Sequence, residues 1–297
     1  MKHTAVISGV GMVPFAKPGA SAPYYQMGAE AARQALADAG LDYAKVEQAY
    51  VGYVYGDSTC GQRALYPIGM TGIPVVNVNN NCSTGSTALF LARQAVESGA
   101  ADCGIALGFE QMKPGALGSY YNDRPTPFEP FDRICEELVG QPEVPLAIRY
   151  FGGAGMAHMD KYGTKAETFA KIRAKASRHA ARNPVALFRK EVTVEEVMDS
   201  PVLIGPMTRL MACPPTCGAA AAIVCSEAFA RANALDHRVR IPAQAIPTAP
   251  PTPAAARHPT PPVAHDLTRP APHPRSPAAA LPPALPPLVF PAGFVCV

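Results

Sequence analysis

The sequence predicts an α/β protein: a mixed, mainly parallel sheet with helices on both faces. Three observations predict it. Apolar runs of strand length alternate with stretches of 3.6-residue apolar periodicity as far as residue 246. Residues 102–109 are almost continuously apolar, as a strand buried on both faces is. Between one such run and the next periodic stretch lies a polar knot, Asn79-Asn80-Asn81-Cys82, which turns strand into helix.

The elements follow in order. Residues 5–15 read as a first strand, whose glycines permit close backbone approach. Residues 24–39 carry Met27, Ala31, Ala32, Leu36 and Ala37 on one helical face, and Gly40 stops the helix. Residues 46–56 read as a strand and 65–70 as a short helix. Residues 74–79 form the strand entering Cys82, and 84–98 form the helix leaving it, ended by Gly99. Residues 111–200 read as a loop insertion over the sheet. It has an irregular Pro- and Gly-rich start, helices at 144–162 and 165–182, and a capping box at Thr193-Val194-Glu195-Glu196. The sheet resumes at 216–226, a short helix covers 227–234, and a last strand begins at 239–246.

Residues 1–246 therefore form one folded unit, and residues 247–297 differ in kind. From residue 241 onward there are 17 of the 33 prolines, one glycine, and no Lys or Glu. Proline removes a ladder donor, so this Pro/Ala-rich tail reads as disordered or polyproline-like. With a net charge of +3 and a pI of about 8.4, the chain carries no nucleic-acid footprint. No run is long enough to span a bilayer. The scattered cysteines and an opening without a long apolar stretch point to reduced thiols and a cytoplasmic setting.

The candidate chemistry centres on Cys82. At a helix start, unbonded N–H groups and the helix dipole favour a thiolate. The same residue is also readable as a small buried hydrophobe. A cysteine nucleophile needs a base and oxyanion donors. Backbone N–H groups around Gly85 are candidate donors, and the ordered part of the chain offers no convincing base. Glu110, at a strand end, is readable as a base or as a partner of Arg124 or Arg133. His158 is readable as a satisfied helix histidine or as one beside a passing pantetheine or nucleotide. Cys213 and Cys217 lack a second ligand pair, so they read as structural, with no metal site. Gly152, Gly153 and Gly155 do not follow a strand, which argues against a phosphate loop. The tail histidines His258, His265 and His273 stand isolated among prolines.

The segment Asn79-Asn80-Asn81-Cys82-Ser83-Thr84-Gly85-Ser86-Thr87-Ala88 resembles the nucleophile motif of thiolases, closest to the sterol-carrier-protein X and lipid-transfer branch. Residues 5–12, 101–112, 158–164, 206–210 and 217–224 resemble further thiolase segments in the same order, so the resemblance covers about residues 1–246. It implies the thiolase fold, five α-β-α-β-α layers from two similar halves, of which this is the amino-terminal one. It implies acyl transfer to and from coenzyme A, with Cys82 as catalytic acyl acceptor and with His158 and Gly85 as substrate-binding residues. Coenzyme A is then substrate and product, with no permanently bound cofactor, and the family form is a homodimer. The resemblance also calls for a Gly-His-Pro histidine and a second cysteine in the other half. Neither motif occurs in these 297 residues. The polypeptide is therefore expected to be an impaired acyltransferase. The alternatives are a non-catalytic acyl-CoA or lipid-binding protein and an inert truncated product.

Pro, Ala, Arg and His share GC-rich codons, which suggests a frameshift near codons 241–250. Translating the downstream nucleotides in the other two frames should yield a Gly-His-Pro segment; if neither frame does, the frameshift is excluded.

Overall fold

The computed structural model describes residues 3–114, 121–140 and 143–246. The tail beyond residue 246, including its histidines and Cys296, lies outside the described residues, so the structure does not bear on the expectation of disorder there.

A six-stranded sheet carries the fold. It is built from β1 (Ala5–Ala16), β2 (Gln48–Gly52), β3 (Val75–Val78), β4 (Cys103–Glu110), β7 (Cys217–Ser226) and β8 (Val239–Arg240), in the order β3-β2-β4-β7-β1-β8. The sheet is mixed, as expected. Strands β1 to β4 share one direction, and β2 pairs in parallel with β3 and β4. Strand β7 runs the other way between β4 and β1, and β8 pairs antiparallel on β1, so three of the five pairings are antiparallel.

Helices α1 (Tyr24–Ala39) and α2 (Cys60–Leu65) cover one face, and α3 (Thr84–Ser98) covers the other. The α1 side holds the larger core, with Val6, Met27, Leu65, Ile105, Leu107, Phe109 and Ile223. The α3 side is lean: Ala5, Ala88, Ala92, Val96, Ala106 and Val224. Strand β7 is buried at every position, and it is rich in alanine because helices press on it from both faces. On β1, a Cβ at Gly9 or Gly11 would meet the α1 backbone at 2.4 or 2.1 Å, which is the close approach expected of these glycines. On the α3 side of the sheet, Val10 and Val76 remain 48% and 42% exposed at the flanks that α3 does not reach.

The segment between β4 and β7 forms α4 (Glu129–Val139), α5 (Leu146–Tyr162), α6 (Ala166–Ala181), α7 (Val194–Met198) and a small hairpin, β5 (Val202–Ile204) with β6 (Met207–Thr208). The Thr193 capping box is present in full. The glycines near the middle of α5 serve packing: a Cβ on Gly152 would meet Ile204 Cγ2 at 2.2 Å. After β7, α8 (Glu227–Ala232) turns the chain into β8.

Four elements depart from the expectation. β2 ends at Gly52 instead of 56: Tyr53 N still donates to Val78 O on β3, but the N–H groups of Val54 and Tyr55 go to the Glu110 carboxylate instead of a strand partner. The helix placed at 65–70 lies at Cys60–Leu65, ahead of Pro67, which has no N–H to continue it. The irregular start of the insertion contains α4, with Pro130 tolerated in its first turn. β8 stops at Arg240, two residues short of Pro242.

Gly52 sets how closely α3 sits on the sheet. A Cβ there would meet Thr84 Cγ2 at 2.6 Å and Thr84 O at 2.7 Å. Backbone cannot yield as a side-chain tip does, so Gly52→Ala should cost about 1–3 kcal/mol in urea unfolding. A loss below about 0.5 kcal/mol would show that α3 shifts freely.

Candidate active site

Cys82 is exposed between the end of β3 and the start of α3. The asparagines before it are each used. Asn77 Oδ1 accepts from Gly61 N at 2.9 Å, fixing β3 to α2. Asn79 Oδ1 accepts from Asn81 N at 3.3 Å. Asn80 donates through Nδ2 to Thr87 Oγ1 at 3.1 Å, and its carbonyl accepts from Ser83 N and Ser83 Oγ. Asn81 takes φ +46°, the left-handed conformation that asparagine tolerates best among residues with a Cβ. Buried Thr84 closes the turn: its hydroxyl accepts from Asn80 N at 2.9 Å and donates to Asn81 O.

This knot holds Cys82 at the amino end of a 15-residue helix. Ser83 stands at the N-cap, yet its hydroxyl turns back to Asn80 O and makes no cap bond. The amino end of α3 therefore keeps its favourable field for negative charge, worth about 0.3–1 kcal/mol to an anion at such a position.

Cys82 lines a narrow cleft with Thr84, Gly85, Gly52, Gly108 and Glu110, walled by Phe15, Tyr53, Val54, Phe109, Ala219 and Ala220. The cleft lies beyond the carboxyl ends of β2 and β4, where open α/β sheets bind ligands. Gly85 serves its shape: its Cα would stand 3.4 Å from a Cβ on Gly108, so the first turn of α3 rests directly on β4. Behind the wall, Phe109 stacks between Tyr24 and Tyr53 with centroids 5.1 Å apart on each side.

Glu110 is 1% exposed. Of its expected partners, Arg124 bonds Asp123 instead. The carboxylate takes backbone donors: Val54 N at 2.9 Å on Oε2, and Tyr55 N and Gln111 N at 3.2 Å on Oε1. Burial pushes its pKa above the ordinary carboxylate value, while the three N–H groups pull the other way. Glu110 thus clamps the strand-like loop after β2 into the cleft wall. The role of Gly52 and Gly108 in seating α3 also goes beyond the sequence reading; a glycine inside a strand is the signal for it.

His158 does not line this cleft. It lies on α5, its ring 4.8 Å from that of Tyr162. Cys217 is buried with Sγ 3.5 Å from Met112 O, whereas Cys213 is exposed, so the two do not share an environment.

The structure is a layered α/β protein with an exposed cysteine at the start of a helix seated on glycine-bearing strands. Residues 5–228 match the thiolase N-terminal domain, and the chain belongs to the thiolase family. It is 50% identical over 246 residues to "Sterol carrier protein 2" of Homo sapiens, covering 82% of this chain and 45% of that protein. It is 33% identical over 238 residues to "Acetyl-CoA acetyltransferase" of Methanothermobacter thermautotrophicus, covering 78% of this chain and 59% of that protein. The solved "Ltp2-ChsH2(DUF35) aldolase" superposes with a TM-score of 0.63 at 22% identity, over 80% of this chain and 58% of that one, which shows the shared fold. The chain spans about half the length of the sterol carrier protein it matches.

The Glu110 clamp has a pH signature. A carboxyl whose folded pKa is raised stabilises the fold fully below the unfolded value, and that contribution is lost as pH rises through the folded one. Relative to Glu110→Gln, the wild type should lose unfolding free energy as pH rises from about 4, then level off. Parallel pH profiles in urea unfolding would overturn this.

Proposed function

We propose that Cys82 accepts an acyl group from acyl-CoA, the first half-reaction of a thiolase. The observation that carries the reading is the placement of Cys82: exposed, at the amino end of α3, in the cleft at the strand ends. Family membership and the acetyl-CoA acetyltransferase relative support it. In this step the Cys82 sulfur attacks the thioester carbonyl. A sulfur–carbon bond forms, the bond to the coenzyme A sulfur breaks, and the proton lost by Cys82 ends on the released thiol. N–H groups of the first turn of α3, at Gly85 among others, would face the developing oxyanion. Coenzyme A acts as substrate and product, and no resident cofactor is invoked.

Steps that need the Gly-His-Pro histidine are expected to be slow in these 297 residues, by about 10²- to 10⁴-fold on ordinary acid–base contributions. The reading extends to a cytoplasmic homodimer joined near β3, which is one of the two outer strands of the sheet and exposes Val76. His158 belongs to the reading only if coenzyme A extends along α5.

Incubation with acetyl-CoA should leave the protein one acetyl group heavier by intact mass, and Cys82→Ala should abolish the adduct. Coenzyme A binding without an adduct would mark a binding protein instead. Absence of both would mark an inert fragment.

A further inference from the structure

The positive charge of this chain is concentrated. Its formal net charge is +3, yet residues 165–190 hold eight Lys and Arg against one acid, Glu167. Along α6 and into its C-cap, Lys171, Lys175, Arg178 and Arg182 recur at i, i+4, i+7 and i+11, so they form one row, and all four are exposed. Among the described residues, Lys171 pairs with Glu167 at 2.9 Å. No ion pair there engages Lys175, Arg178 or Arg182. The row is held outward because Ala170, Ala174 and Ser177 are buried on the side of α6 that packs toward α7. Beside it on α6, Ile172 is 63% exposed.

The shape selects the ligand. Eleven residues of helix extend about 16 Å, and the cations diverge from a convex flank. Phosphates of a single nucleotide need donors converging in a concave site. A long convex row of cations with an exposed isoleucine at its margin matches a flat array of anions over hydrocarbon. No described helix is long and apolar enough to cross a membrane, so any such contact is peripheral.

We propose that α6 docks this protein on anionic lipid surfaces. The Lys171–Arg182 row meets the headgroups, and Ile172 reaches the acyl boundary.

The test is cosedimentation of the full chain with vesicles of phosphatidylcholine alone or with about 30% phosphatidylserine. Binding is expected only to the anionic vesicles, and it should fade as salt approaches about 0.5 M and screening shortens. Lys175→Gln should weaken binding about fivefold, and the triple reversal K175E/R178E/R182E by more than about 100-fold, since each cation near such a surface contributes on that scale. Far-UV circular dichroism checks folding; should the triple variant misfold, the exposed single variant decides. Equal binding to neutral vesicles, as the uncovered sheet face would give, overturns the proposal. Undiminished binding by the variants does the same. So does a variant that keeps vesicle binding but loses affinity for free coenzyme A, because the row would then belong to a nucleotide.

Discussion

The site depends on how closely the first turn of α3 approaches β2 and β4. Where Thr84 and Gly85 cross the sheet, the strands offer Gly52 and Gly108; a Cβ on Gly52 would meet Thr84 at 2.6 Å, so no larger residue fits there, while Gly108 lies in contact with Gly85. That approach places Cys82 over the strand ends instead of beside them. It also dictates what surrounds it. Helices on both faces force alanine into β7 from residue 219 to 222 and into α3 at 88 and 92. Alanine buries little area, so the α3 side contributes far less hydrophobic stabilisation than the α1 side, with its Leu, Ile, Met and aromatic side chains. The polar knot compensates for this. Asn80, Asn81, Ser83, Thr84 and Thr87 bind one another's backbone and hydroxyl groups, and so fix the helix start where packing is thin.

The lean face has a second consequence. By strand alternation, Val10 and Val76 point to the same side as α3, and both stay exposed where a single helix cannot cover six strands. A layer beyond α3 would bury them, which is the arrangement that the resemblance to a five-layered fold implies. The chain's coverage of about half its sterol carrier protein relatives agrees with this.

Periodicity made most of the fold legible. The bounds of α1 and α3 were readable to the residue, because αL glycines at 40 and 99 end them and apolar spacing fills them. Cys82 was legible because Asn79 to Asn81 mark a turn that few other residues tolerate. What stayed hidden depended on partners without a sequence signature. Glu110 carries a charge, and charge suggests arginine; its actual partners are backbone N–H groups, which any sequence supplies. The same bonds shortened β2, so one unseen clamp produced both departures. The mainly parallel sheet was right for strand direction within the first four strands. Alternation of strands and helices cannot reveal that β7 returns to run antiparallel between β1 and β4, which is a long-range choice.

Glu110 and Cys82 share the cleft, and the proposed acyl transfer raises the question whether the carboxylate acts as its base. Burial favours that role, since a raised pKa makes a better proton acceptor near neutrality. The bonding argues against it. Oε1 already accepts two N–H groups and Oε2 one. A proton on either oxygen weakens the acceptors that hold Val54 and Tyr55, and these residues lie at the cleft wall. Each catalytic cycle would then loosen the wall at the moment when the acyl carbon must be held in line with Cys82. A group that fixes geometry through three backbone donors performs best with its charge unchanged. In the proposed acyl transfer Glu110 is therefore a positioning residue, and the proton from Cys82 leaves by another route.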